Sequence, residues 1–84
     1  MRAAQGSHLL DLLLCNDVLR TRGFSLSRTQ EGSIVIDRFG HVHGIWNYDG
    51  RQYAWTSPSS SEPIFHTDSP SAAVVYTLLA LSQT

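Results

Sequence analysis

The sequence predicts a single small α+β domain in the order helix, four strands, helix, with a four-stranded antiparallel meander and both helices packed on one face of the sheet. Leu-rich and Val/Leu-rich stretches near the two ends of the 84-residue chain are typical of helices. Between them, apolar and polar residues alternate as they do in half-buried strands. Three turns that each contain a glycine divide this alternating region into four strands.

Length and composition limit both the architecture and the function. A chain of 84 residues can bury one core and has no room for a second. We therefore divide it into an N-terminal tail, residues 1–7, and one domain, residues 8–84. With 42% hydrophobic residues, 15% charged residues and a net charge of −1, it has the composition of neither a disordered chain nor a polycation. A general nucleic-acid binder, which must neutralise phosphates, is disfavoured.

The first helix is predicted over Ser7 to Arg22. Ser7 can cap its start, Arg20 and Arg22 complement the helix dipole in its last turn, and Gly23 can adopt the left-handed conformation that ends a helix. Its apolar residues are Leu9, Leu10, Leu12, Leu13, Leu14, Cys15, Val18 and Leu19. They lie nearly all round the helix, so one sheet face is not expected to cover them. We expect Leu9 and Leu12 to contribute to an interface.

Three turns set the predicted strand pairing. A three-residue turn at Gln30-Glu31-Gly32 and another at Arg38-Phe39-Gly40 would each place a glycine in the left-handed conformation, and Asp49-Gly50 is favoured in a two-residue type I′ turn. The predicted pairs are Leu26–Ile36, Arg28–Ile34, Ile36–Val42, Ile34–Gly44, Tyr48–Arg51, Asn47–Gln52, Trp46–Tyr53, Ile45–Ala54, Gly44–Trp55 and His43–Thr56.

This pairing sorts the strand residues onto two faces. The predicted core face carries Phe24, Leu26, Ile34, Ile36, Val42, Trp46, Tyr53 and Trp55, together with Tyr48. We also expect Trp55 to cover Gly44, which has no side chain. The opposite face carries Ser25, Ser27, Val35, His43, Ile45, Asn47, Gln52 and Ala54. This face is mostly polar with a small apolar centre, and Val35, His43, Ile45 and Ala54 are its candidate interface residues.

The C-terminal third contains a loop and the second helix. Thr56 to Thr67 reads as a flexible link in which Pro63 to Phe65 extends along the sheet edge. The helix begins with Ser69 as N-cap and Pro70 in its first turn. Its predicted inward stripe is Val74, Val75, Leu78, Leu79 and Leu81, and its predicted outward side is Ala72, Ala73, Tyr76, Thr77 and Ala80.

Few residues indicate chemistry. His41 and His43 form a pair that could ligate a metal, but two ligands do not make a closed site, so no metal and no cofactor are predicted. Cys15 lies in the Leu-rich helix, where we expect a packed, inert thiol. The glycines are isolated and form no phosphate-binding loop. We therefore expect no enzymatic activity.

The leading functional hypothesis is a non-enzymatic protein-interaction module that forms a homodimer through the first helix or the open sheet face. The single cysteine is typical of a reducing cytoplasm. We expect no membrane insertion, because Asp11 interrupts an apolar run that is too short to span a bilayer. The alternative is a small nucleic-acid-binding or regulatory protein, whose candidate contact residues are Arg28, Arg38, Arg51 and Tyr48.

Overall fold

A computed structural model describes residues 4–82 of the chain, with side chains from His8 onward. It has three helices: α1 (Ala4–Leu14), α2 (Asp17–Thr21) and α3 (Pro70–Leu81). It has five strands: β1 (Ser25–Arg28), β2 (Ile34–Arg38), β3 (His41–Tyr48), β4 (Tyr53–Thr56) and β5 (Phe65–Thr67). The predicted α+β class and the antiparallel sheet are confirmed.

The sheet has five strands and not the predicted four. Their order is β1-β2-β3-β4-β5, and every neighbouring pair is antiparallel. The additional strand, β5, pairs along β4, where Trp55 lies opposite Phe65. Its place is fixed by the backbone N–H of Ile64, which donates to the carbonyl of Trp55 at 2.8 Å, and by the Phe65 ring, which stacks on Tyr76 of α3 at 4.0 Å between ring centroids. Long-range contacts therefore order the end of the predicted link as a strand, close to Pro63 to Phe65, which was expected to extend along the sheet edge.

The predicted first helix is two helices separated at Asn16. The Asn16 side chain accepts hydrogen bonds from the backbone N–H groups of Val18 (3.0 Å) and Leu19 (3.3 Å) and caps α2. Asn competes well for such a position, because its short side chain replaces the missing backbone acceptors. The interruption turns Leu19 into the core and leaves Val18 exposed. Gly23 has φ +86°, as predicted for the end of the helix.

The N-terminal boundary also differs from the prediction. Helix α1 begins at Ala4, within the segment interpreted as a tail, and the predicted cap Ser7 lies inside the helix. Residues 1–3 lie outside the described part of the chain. The division into residues 1–7 and 8–84 therefore stays a prediction.

The first turn follows its prediction and the second does not. Leu26 pairs with Ile36 and Arg28 with Ile34. The second turn contains only Phe39-Gly40, with φ +56° and +82°, so Arg38 pairs with His41. A bulge then shifts the register between Ile36 and Asp37, and the predicted pairs Ile36–Val42 and Ile34–Gly44 are replaced by Ile36–Gly44 and Ile34–Trp46. Val42, predicted in the core, is 43% exposed as a result.

The turn between β3 and β4 is longer than the predicted Asp49-Gly50. The Asp49 carboxylate accepts the backbone N–H groups of Arg51 and Gln52, each at 2.8 Å, and so builds a four-residue loop. These bonds, that from Gln52 foremost, hold the pKa of Asp49 below its usual value. The observed pairs are Tyr48–Tyr53, Asn47–Ala54, Trp46–Trp55 and Ile45–Thr56. This displacement by two residues leaves the predicted aromatic face intact.

The core is formed by residues of the sheet and of the helices. Its buried apolar residues are Leu9, Leu13, Leu19, Phe24, Ile34, Ile36, Trp46, Tyr53, Trp55, Ala73 and Leu81. The Trp46 and Trp55 rings meet edge to face at 5.2 Å between centroids. The Trp55 ring also covers Gly44, as predicted, and leaves no room there for a side chain. Burial raises the pKa of the Tyr53 phenol, with the Tyr48 phenol adding to the shift.

Helix α3 is rotated relative to its prediction. Ser69 caps it and Pro70 starts it, as expected. The residues that face the core, however, are Ala73, Thr77 and Leu81, whereas Val75 and Leu79 are exposed. The bulky rings of the sheet occupy most of the space between sheet and helix, so small side chains on the helix permit the closest approach. The predicted inward stripe was therefore wrong at Val75 and Leu79.

One buried hydrogen bond fixes this rotation. The indole Nε1–H of Trp46 donates to the hydroxyl of Thr77 at 2.8 Å, and that hydroxyl donates to the carbonyl of Ala73 at 2.7 Å. Both side chains are buried. An indole N–H buried without an acceptor would carry a desolvation penalty, so the rotation that presents Thr77 is favoured over the one that presents Val75.

We predict that Thr77→Val lowers the free energy of unfolding by about 1–3 kcal/mol, because the isosteric side chain leaves the Trp46 N–H without its acceptor. Urea denaturation followed by tryptophan fluorescence measures this change. Thr77→Ser keeps the hydroxyl and is the matched control, with a smaller loss from the missing methyl group. Equal destabilisation by the two variants would contradict a role for the hydrogen bond.

Candidate interaction surfaces

The outer side of α3 is the clearest unshielded apolar surface. Val75 is 55% exposed and Leu79 is 63% exposed, and their spacing of four residues places them one turn apart on the same side. Ser71 and Ser82, both exposed, flank them on that side. The sequence contains no charged residue from Ser69 to Thr84. This side of the helix is therefore an apolar centre with a polar, uncharged rim.

The first-helix surface predicted from Leu9 and Leu12 is smaller than expected. Leu9 is fully buried in the core, so its side chain offers no surface to a partner, and Leu12 is half-buried. The exposed apolar residues in this region are instead Leu14 and Val18, at the junction of α1 and α2. A cleft of about 70 Å³ lies between this junction and β1. That volume is far below what a drug-sized ligand needs.

The open face of the sheet places two predicted residues side by side. Val35 and Ile45 are paired directly across β2 and β3, and both are half-buried. Ala54 lies on the next strand opposite Asn47 and is also half-buried. His43 does not lie beside these three residues. It is at the bulge, and its ring makes an edge contact with the core residue Phe24 at 5.3 Å between centroids.

The four residues predicted to contact nucleic acid do not share one surface. Arg28 ends β1 and Tyr48 ends β3, with Arg51 in the loop that follows, so these three lie at one end of the meander. Arg38 ends β2 and lies at the other end. The Tyr48 ring packs against Tyr53 at 4.6 Å between centroids and is only half-exposed.

A second group of residues, which the sequence analysis missed, surrounds Arg38. The arginine–aromatic cluster consists of Arg22, Phe24, Arg38, Phe39 and His43. The guanidinium carbon of Arg38 lies 4.6 Å from the centroid of the Phe24 ring and 5.7 Å from that of Phe39. The guanidinium carbon of Arg22 lies 5.9 Å from the Phe24 centroid. The signal in the sequence was an aromatic residue before Gly40 in a two-residue turn, a position that usually takes Asn or Asp.

The residues considered for metal binding and for reactivity stay apart. Within residues 4–82, no three His, Cys, Asp or Glu side chains come together as a metal site. His43 contacts Phe24, and His41 is exposed at the turn. Cys15 is exposed at the end of α1, which corrects the expectation of a packed thiol; the chain leaves the helix at this residue, where α1 gives way to the Asn16 cap.

Comparisons with known proteins give no information about function, so a functional proposal has to be based on the structure. No protein-family model, no curated protein and no solved structure matches this chain. In the described part of the chain, no helix combines the length and the apolar character needed to cross a lipid bilayer. The surfaces described above are thus the basis for a functional proposal.

Proposed function

We propose that this chain is a non-enzymatic protein-interaction module of the cytoplasm that forms a homodimer through the outer side of α3. The observation that carries the proposal is the exposed pair Val75 and Leu79 on a helix without charged residues. Exposed helix faces of soluble monomers normally carry charged or polar residues. A helix that is apolar on both sides is typical of one covered on both sides.

A second copy of the chain is the partner that this surface fits best. A twofold interface uses the same patch on both protomers, so the patch must be complementary to itself. The outer side of α3 meets this condition, because it presents no charge that would repel its copy. In an antiparallel arrangement, Val75 of one protomer would pack near the partner's Leu79. Contact between two short helices is small, so we expect a dissociation constant in the micromolar range.

We further propose that both helices lie on the aromatic face of the sheet. The opposite face, with Val35, Ile45 and Ala54, would then be available to bind another protein. A free thiol at the exposed Cys15 supports a reducing compartment. The proposed activity requires no cofactor, no metal and no membrane.

We predict that Val75→Glu or Leu79→Glu weakens dimerisation by at least tenfold, because each variant buries an unpaired carboxylate against an apolar side chain of the partner protomer. Sedimentation velocity from about 5 to 500 μM measures the monomer–dimer equilibrium. Circular dichroism should show an intact fold in both variants, since the replaced side chains are exposed in the single chain.

Val18→Glu is the matched control, because Val18 is equally exposed but lies on α2, away from the proposed contact. It should leave the dissociation constant unchanged. Two results contradict the proposal: a wild-type chain that stays monomeric throughout the concentration range, and a dimer that Val18→Glu disrupts while both α3 variants leave it intact.

A further inference from the structure

The arginine–aromatic cluster lies at the end of the sheet where α2 leads into β1 and where β2 turns into β3. Arg38 ends β2, and its guanidinium is positioned between the rings of Phe24 and Phe39. The Phe24 ring is buried and also meets the edge of His43. The half-buried Arg38 guanidinium thus lies 5.7 Å from the centroid of an aromatic residue that is 84% exposed.

The conformation of Phe39 is unfavourable for its residue type. Its φ of +56° is in the left-handed region, which bulky residues seldom adopt and which Asn and Gly tolerate well. Burial does not compensate for this, because most of the ring contacts solvent. Backbone strain that is kept at an exposed side chain is a recurrent feature of binding sites. The turn would be more stable with Asn at this position, so the aromatic ring needs another explanation.

The charge at the cluster indicates an anionic ligand. Among residues 4–82, Arg38 forms no ion pair; its contacts are with the two rings. The Arg22 guanidinium carbon lies farther from the same ring, at 5.9 Å from its centroid. Asp37, the acidic residue next in sequence, precedes Arg38 on β2, where consecutive side chains point to opposite faces. The Arg38 guanidinium can bind a phosphate with matching two-point geometry.

We propose that the arginine–aromatic cluster binds a nucleotide unit, with Arg38 holding the phosphate and the base stacking on the exposed ring of Phe39. Bases of every kind stack on aromatic side chains, and Arg beside the ring adds a cation–π contribution. The ligand can be a free nucleotide or a unit of a single strand, because both present the same base and phosphate. A net charge of −1 means that binding is local and modest in affinity.

The test uses the full chain at low salt with two probes: adenosine 5′-monophosphate, followed by amide chemical shifts, and a labelled ten-nucleotide single-stranded RNA of mixed sequence, followed by anisotropy. Phe39→Asn removes the ring and suits the turn, and Arg38→Gln removes the central cation. We expect each to weaken binding at least fivefold. Phe39→Asn should also unfold at a temperature higher by about 4 °C, since the strain is relieved.

Arg51→Gln is the matched control, because it removes the same charge at the opposite end of the sheet. It should change the affinity by less than twofold. Binding of both probes assigns the site to any nucleotide, and binding of the RNA alone assigns it to single strands; either supports the proposal. Equal losses in Arg38→Gln and Arg51→Gln would show a non-specific charge effect and overturn it. Failure of both probes to bind, at millimolar nucleotide and at 100 μM RNA, would also overturn it.

Discussion

Gly44→Ala is expected to lower the free energy of unfolding by about 2–4 kcal/mol, because the new methyl group has no space. A Cβ atom at this position would lie 2.0 Å from Cζ2 and 2.1 Å from Cη2 of Trp55. The Trp55 ring is buried and packs against Trp46 and Tyr76, so it cannot move aside without disturbing the centre of the core. Urea denaturation at equilibrium measures the loss.

Two further variants separate this steric effect from the conformational effect of losing a glycine. Gly32 has φ +91°, and a Cβ atom added there would meet no other atom within 4 Å, so Gly32→Ala should cost only about 1 kcal/mol through backbone strain. In a Trp55→Phe background, Gly44→Ala should cost less than it does in the wild type, because the smaller ring leaves room. Equal costs at Gly44 and Gly32, without coupling to Trp55, would show that the packing is looser than described.

The faces of the meander could be predicted from the sequence, although two of the three predicted registers were wrong. Side chains alternate with a period of two, so a turn that is two residues longer displaces the pairing but keeps each residue on its face. This is the case at Asp49, where Trp46 pairs with Trp55 and not with Tyr53. At the second turn the bulge adds one residue, which changes the face, and Val42 is lost from the core.

Of the two features that were missed, one depends on local hydrogen bonds and the other on contacts between distant residues. The length of the third turn follows from two hydrogen bonds to one oxygen of Asp49, and sequence patterns do not separate this loop from a type I′ turn. Strand β5 has only three residues, too few to show alternation, and is ordered by the stacking of Phe65 on Tyr76. The sequence predicted an extended segment at the sheet edge from Pro63 to Phe65, but not its pairing with β4 as a fifth strand.

The exposed apolar surface lies on a different helix from the predicted one, because the orientation of α3 depends on its contacts with the sheet. Apolar periodicity marks the larger residues of a helix as the inward ones, and in α3 that rule gives Val75 and Leu79. The sheet presents two tryptophan rings and an indole N–H that needs an acceptor, and Thr77 provides that acceptor. The small side of the helix therefore faces inward and the larger apolar side chains face solvent. The apolar surface expected on the first helix is found on the last.

Leu9→Ala tests whether Leu9 is a core residue, as in the structure, or an interface residue, as expected from the sequence, and the expected effect is large. Leu9 is fully buried, so the substitution should lower the free energy of unfolding by about 2–5 kcal/mol, through lost burial and the cavity that is left behind. Leu14→Ala makes the same chemical change in the same helix, at a residue that is 48% exposed, and should cost less than about 1 kcal/mol. Because both variants remove the same atoms, the difference between their denaturation midpoints reports burial alone.

Leu9→Ala, compared with Leu79→Glu, also tests where the proposed dimer contact lies. If Leu9 served an interface, Leu9→Ala would weaken dimerisation and the midpoint measured on dilute, monomeric protein would barely move. The structure predicts the reverse, because the Leu9 side chain is enclosed by the protomer's own core. At a temperature where the variant stays folded, its monomer–dimer equilibrium should match that of the wild type, whereas Leu79→Glu should shift the equilibrium to monomer without lowering the midpoint of the dilute chain.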